Sequence, residues 1–342
     1  MERVRIGIIG MGRMGITHFS IINSHPKVDI VSVSDTSKLI LEILSKYIPK
    51  VKIYTDFNEQ LNAGDLDGVI VCTPPNLHYD ICKKACKKGI GVFCEKPFTT
   101  NFIEAKELAE MFDAAGLVNQ VGYVNRFNDM FSTAREYIKS GLIGNIIRFK
   151  SEMFSNTISK PQTGEGWRSK RENGGGATYE MGAHALDLVN FILGCPQKII
   201  GSSMNRIYSQ DVEDIVSTTL VYDNGCSGTL YVNWCDQSYR KPSNKLEFFG
   251  TNGKILVDQH DMKIFLNEAK KEYNYRKGWN TVYITDIVKP VPFYVRGFEF
   301  TRQLYHFADS ILDGNTEPVC PFRAGYETQD VIHRIFNDVV LK

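Results

Sequence analysis

Apolar residues along the first 123 positions fall into short runs separated by helical patterns. Val4–Ile9 reads as a buried strand, followed by a helical period through Ile16, Phe19 and Ile22. Ile30–Ser34, Val51–Tyr54, Val69–Cys72, Ile90–Cys94 and Leu117–Tyr123 read as further strands. Between them lie helical stretches at Phe57–Ala63, Tyr79–Lys88 and Ile103–Ala115. Strand and helix in strict alternation predict a doubly wound parallel sheet.

After a helix at Asn128–Ser140 the period changes to two. Ile146–Phe154, Ile199–Tyr208, Ile215–Tyr222, Ser227–Asn233, Lys245–Gly250 and Lys254–Asp258 read as strands, joined by turns such as Asp223-Asn224-Gly225 and Gly250-Thr251-Asn252-Gly253. Strands in succession imply a large, mainly antiparallel open sheet in an α+β second domain. Helices at Phe298–Leu312 and Ala324–Leu341 close the chain. The expected division is therefore an α/β Rossmann domain over residues 1–123 and an α+β domain over 124–342. One long irregular stretch, Ser155–Gly176, interrupts the second domain, and long loops in compact domains are often functional.

Bulk properties narrow the function. A chain of 342 residues with net charge +1 and interspersed acids and bases carries no footprint for nucleic acid or anionic membrane. Met1-Glu2-Arg3-Val4 enters a strand directly and no apolar run approaches the ~20 residues of a membrane helix, which points to the cytoplasm. Eight cysteines without Cys-x-x-Cys spacing fit reduced thiols. His78, Cys82 and Cys86 recur at four-residue spacing, but a tetrahedral site needs another ligand from elsewhere, so a buried stripe and no metal is expected.

The chemistry lies at the strand ends. Gly10-Met11-Gly12-Arg13-Met14-Gly15 sits between a strand and a helix, where the glycines permit a tight turn and close approach of a pyrophosphate to the helix N-terminus. Asp35 closes the second strand about twenty residues later, placed to accept from ribose hydroxyls of NAD; the alternative is a cap for the helix starting near Ser37. NAD is therefore expected over NADP, although Ser37 and Lys38 lie close by. Thr73-Pro74-Pro75-Asn76-Leu77-His78 forms a second crevice loop, in which His78 reads equally as a site residue or a helix-start residue. Strand Ile90–Cys94 ends on Glu95-Lys96-Pro97, and Pro97 restricts where the Lys96 ammonium points. Downstream, Gly174-Gly175-Gly176 leads into a helix on which Glu180, His184 and Asp187 share a face, a carboxylate one turn from an imidazole. Lys160, Arg168, Lys170 and Arg171, with Arg240 and Lys241, offer either an anion contact or a solvated loop.

Together, Gly10-x-Gly12-x-x-Gly15, Glu95-Lys96-Pro97 and an acid-x-Gly-x-His at Glu180–His184 make the whole chain resemble the glucose–fructose oxidoreductase, inositol dehydrogenase and rhizopine-catabolism (Gfo/Idh/MocA) family. The resemblance implies a dehydrogenase of sugars or cyclitols in which Lys96 and His184 flank the reacting carbinol, the acid at 180 supports the histidine, and Glu95 faces the cofactor. It also implies that Thr73, Pro74 and His78 border the nicotinamide, with Asn125 beside them, and that Trp167-Arg168 meets cofactor or substrate. A homo-oligomer, dimer or tetramer, through the second sheet is implied as well. One departure is Glu180, where the family most often has aspartate. Two other functions stay open: a redox-neutral enzyme using NAD transiently on glycosides, and a dinucleotide-sensing regulator without chemistry.

Overall fold

Six strands form a parallel sheet in the order β3-β2-β1-β4-β5-β6: β1 (Val4–Ile9), β2 (Val28–Ser34), β3 (Lys52–Tyr54), β4 (Gly68–Val71), β5 (Gly91–Cys94) and β6 (Asn119–Val121). The computed structural model describes residues 3–162, 164, 166–314 and 318–339; Met1 and Glu2 ahead of the first expected strand, Val340 and Leu341 of the last expected helix, and Thr163 and Glu165 of the long loop, lie outside the described residues. Every residue of β4 and β5 is buried, as a strand covered by helices on both faces requires. Helix ends follow local chemistry. Ser37, Asp56 and Asn101 cap three of the helices, and Gly116 closes Phe102–Ala115 in a left-handed conformation.

The first compact unit runs to Val124 and also takes in Pro290–Tyr326. Helix Phe298–Asp313 accounts for that. Its Leu304, Phe307 and Ala308 share a core with Val4, Ile6, Ile8 and Phe93. Gln120 reinforces the docking by donating to the Gln303 carbonyl at 2.8 Å and meeting His306 Nδ1 at 2.9 Å. Chain order alone had grouped this helix with residues 124–342, because periodicity shows that a helix has an apolar face but not what covers it.

The second unit holds Asn125–Lys289 and the chain from Glu327 onward. Its sheet has eight strands: β7 (Ile146–Phe154), β8 (Lys198–Asn205), β9 (Ile215–Val221), β10 (Ser227–Asn233), β11 (Ser243–Gly250), β12 (Gly253–Val257), β13 (Asp261–Leu266) and β14 (Gly278–Tyr283). They lie in the order β14-β13-β12-β11-β7-β10-β9-β8, antiparallel except for the β7–β10 pair. Alternating burial along β9 and β11 marks one covered face and one open face. Helices Asp129–Lys139 and Ala183–Leu193 pack on this sheet.

Candidate active site

In the first unit the glycine motif is required by sterics at two positions. Gly10 has φ +90°, and a Cβ there would lie 2.9 Å from the Cys72 carbonyl and the Thr73 nitrogen. A Cβ on Gly15 would collide with the Gly10 carbonyl. Gly12, by contrast, faces open space, at the start of a helix (Arg13–Ile22) with no side-chain cap. That helix end offers unpartnered N–H groups and room beside them, which fits a dinucleotide pyrophosphate. The buried Thr73 hydroxyl, on the neighbouring loop, also lacks a hydrogen-bond partner among the described residues and fits a polar ligand.

Asp35 is half-buried at the end of β2. Its Oδ2 accepts from the Met11 N–H at 2.6 Å and its Oδ1 from the Ser37 N–H at 2.7 Å. The carboxylate thus ties the glycine loop to the strand end, while Ser37 is the helix cap. A carboxylate has about four acceptor positions, so capacity for ribose hydroxyls remains.

His78 begins helix His78–Lys87 and is fully buried. Its Nδ1 lies 3.0 Å from the Pro97 carbonyl and 3.2 Å from that of Phe98, and its Nε2 lies 2.9 Å from the Thr73 carbonyl. Burial pushes its pKa below the ordinary value against the pull of these carbonyls. The ring therefore braces the loop after β4 against the loop after β5. Cys82 and Cys86 continue the same buried side of the helix.

Glu95 is turned inward. Its Oε1 lies 2.6 Å from Nε2 of the fully buried His18, and its Oε2 accepts from the Lys96 N–H at 3.1 Å. Burial pushes this carboxyl up, but the His18 hydrogen bond and the charges of His18 and Lys96 outweigh it and hold the pKa below the usual range. His18 sits on the helix that opens at the glycine motif, so the pair links that helix to the loop carrying Lys96. Nothing in the motif arithmetic singled out His18. The available signal was a polar residue on the buried side of an amphipathic helix, beside Gly15 and Ile22.

In the second unit, Thr178–Gly182 is a π-helical turn that runs into helix Ala183–Leu193. The wider turn takes Glu180 out of the α-helical register assumed for the Glu180–His184 spacing. Glu180 accepts from Arg168 Nη2 at 3.3 Å, and the Arg168 guanidinium stacks 4.5 Å from the Trp167 ring. His184 is half-buried. Asp187, expected on the same face, is buried against Arg126 with contacts of 2.8 to 3.1 Å; burial, opposed by Arg126, raises its pKa to about 6. Asn125, preceding Arg126 in a short helical turn, is also buried. Of the basic residues in the long loop, Arg168 and Arg171 have acidic partners and Lys160 and Lys170 are exposed, as are Arg240 and Lys241 between β10 and β11, which favours a solvated loop.

A profile of the oxidoreductase family with an NAD-binding Rossmann fold matches residues 4–123, and a profile of the GFO/IDH/MocA C-terminal domain matches residues 131–256. The chain belongs to the Gfo/Idh/MocA oxidoreductase family. Within it, 327 residues are 26% identical to scyllo-inositol 2-dehydrogenase (NAD(+)) of Bacillus subtilis, spanning 92% of this chain and 88% of that protein. Two uncharacterized oxidoreductases of Schizosaccharomyces pombe are each 28% identical over 227 residues; the match covers 65% of this chain and 61% of the length of each relative. The fold is also that of levoglucosan dehydrogenase in complex with NADH and levoglucosan, with TM-score 0.86, 20% identity and coverage of 98% and 97% of the two chains. The matched N-terminal domain is an NAD-binding Rossmann fold, and the open helix start at Gly12 has room for the dinucleotide.

Proposed function

We propose that this protein is an NAD-dependent dehydrogenase, or ketoreductase in reverse, acting on a secondary alcohol of a sugar, cyclitol or related derivative. The observation that carries it is Lys96, whose backbone is fixed by a buried Glu95–His18 pair anchored in the phosphate-binding helix. A nucleotide sensor needs no such lysine. Lys96 donates a hydrogen bond to the carbinol oxygen and stabilises its developing negative charge. His184 accepts the hydroxyl proton, and Glu180 orients His184. When bound, NAD supplies the hydride acceptor. The alignment across nearly the whole B. subtilis inositol dehydrogenase supports a cyclitol or sugar. Screening cyclitols, free sugars and nucleotide sugars by NADH absorbance tests the proposal. Net NADH should accumulate with at least one polyol; a glycoside consumed without net NADH, or NAD binding with no turnover, would overturn it.

We also propose a cytoplasmic homo-oligomer assembled through the open sheet face. Phe249, Lys254, Phe265 and Trp279 lie opposite one another across β11–β14 and line a depression of about 360 Å³, with Phe249 and Trp279 each about half exposed. Exposed aromatic side chains grouped in this way suit an interface. No helix among the described residues is long and apolar enough to cross a membrane, and none of the eight cysteines is in a disulfide.

Cofactor choice follows from Asp35. A 2′-phosphate would place like charge beside it, and two unit charges ~4 Å apart at an effective dielectric of ~20 repel by about 4 kcal/mol before screening. A tenfold preference needs only ~1.4 kcal/mol, so kcat/KM should favour NAD over NADP by about tenfold or more. Asp35→Ser should bring the two cofactors near parity, with the exposed Lys38 then free to meet the phosphate. Wild-type protein that prefers NADP would leave Asp35 with its structural bonds alone.

A further inference from the structure

We infer that Glu213 is a positioning residue for the helical segment that carries Glu180 and His184, an inference that rests on the function proposed above. Glu213 lies just ahead of β9 and is 1% exposed. Its Oε1 accepts from the Thr178 N–H at 2.9 Å, and its Oε2 accepts from Arg171 Nη2 at 3.2 Å. Its backbone carbonyl accepts from the Ala177 N–H at 2.9 Å. The π-helical turn Thr178–Gly182 has no side-chain cap of its own, so a carboxylate 35 residues away in sequence caps it. A negative charge at that end also complements the helix dipole.

Gly176 makes the approach possible. Its φ is +101°, and a Cβ there would stand 2.5 Å from Glu213 Oε1 and 3.0 Å from the rest of the carboxylate. The last glycine of the Gly174–Gly176 run is thus explained by Glu213, independently of any cofactor. Arg171 completes the charge balance and is itself held over the Phe336 ring at 4.4 Å. Glu213 cannot drift along its own chain, because the next residue is pinned. Asp214 accepts from the N–H groups of Ile207, Tyr208 and Ser209 at 2.5, 2.6 and 3.0 Å, from Ser209 Oγ at 2.6 Å and from Trp234 Nε1 at 2.6 Å. From this anchored point, Glu213 holds the start of a continuous helical segment on which His184 lies six residues beyond Thr178.

The test compares Glu213→Ala, Glu213→Gln and, as a stability control in the core of β9, Val216→Ala. Three quantities are read: kcat, KM for NAD, and the ring NMR signal of His184 at fixed pH, assigned by its loss in His184→Asn. Glu213→Ala should lower kcat by ~10-fold or more with KM for NAD unchanged, and should shift the His184 signal, because small misplacement of a reacting group is costly. Glu213→Gln should stay within about threefold of wild type, since its amide oxygen still accepts from Thr178. Val216→Ala should lower the melting temperature without moving kcat or the His184 signal. If Glu213→Ala does not fold, Glu213→Asp decides: withdrawing the carboxylate by one methylene should cost more kcat than Gln does. A Glu213→Ala kcat within twofold of the Val216→Ala value, an unmoved His184 signal, or Asp outperforming Gln would each overturn the inference. Should wild-type protein oxidise no polyol, the proposed function fails, while the His184 signal still decides whether Glu213 positions that ring.

Discussion

Lys96→Met should lower kcat by at least ~100-fold while leaving NAD affinity within a few-fold. Methionine keeps most of the stem volume and removes the donor proposed to stabilise charge on the reacting oxygen, and loss of one such donor typically costs 10²–10³ in rate. Cofactor affinity should be insensitive because the groups of the dinucleotide cradle are others: the glycine loop, the open helix start at Gly12, and Asp35. Nor does the substitution touch what holds the loop in place. The Lys96 N–H bonded to Glu95 and the carbonyls braced by His78 belong to the backbone or to residues left intact. The measurement is steady-state kcat with the polyol found in the screen, alongside NADH binding by fluorescence. Activity retained within a few-fold would remove Lys96 from the chemistry.

What was legible in the chain was set by local sterics or strict period. Gly10 and Gly15 could be read because each meets backbone atoms from neighbouring turns, and β4 and β5 because burial on both faces leaves an uninterrupted apolar run. What escaped depends on partners distant in sequence. β13 and β14 are not legible in the sequence although Met262, Ile264 and Leu266 alternate with less buried positions, because Asp261 and Lys263 break the apolar pattern of β13 and only Val282 is buried in β14. β8 was expected to reach Tyr208 but ends at Asn205, since the N–H groups of Ile207 and Tyr208 bond to the Asp214 side chain instead of a neighbouring strand. The Glu95–His18, Arg126–Asp187 and Glu213–Thr178 contacts join positions 77, 61 and 35 residues apart, beyond any spacing rule. The polar face drawn through Glu180, His184 and Asp187 assumed an uninterrupted α-helix. A π-helical turn at its start and a buried ion pair at its end give those three residues separate surroundings.

Those separate surroundings shape the second large effect. His184→Ala should remove the proposed general base and lower kcat by ~100-fold or more. Glu180→Ala should cost less, because it removes an orienting group and not the proton acceptor. If Glu180 acts through His184, the double variant should lose less than the sum of the two barriers, since residues acting as a unit are not additive. Arg168 supplies the competing account. It donates to Glu180 at 3.3 Å from a half-exposed position, whereas the Glu180 side chain is only 12% exposed. Additive losses for Glu180→Ala and His184→Ala would mean that Glu180, with Arg168, works on the substrate independently. Glu180→Asp separates the two accounts further. The shorter carboxylate draws back from Arg168 toward the backbone, so an orienting role predicts kcat within a few-fold of wild type. A role exercised with Arg168 predicts a loss approaching that of Glu180→Ala, accompanied by a raised KM for the polyol.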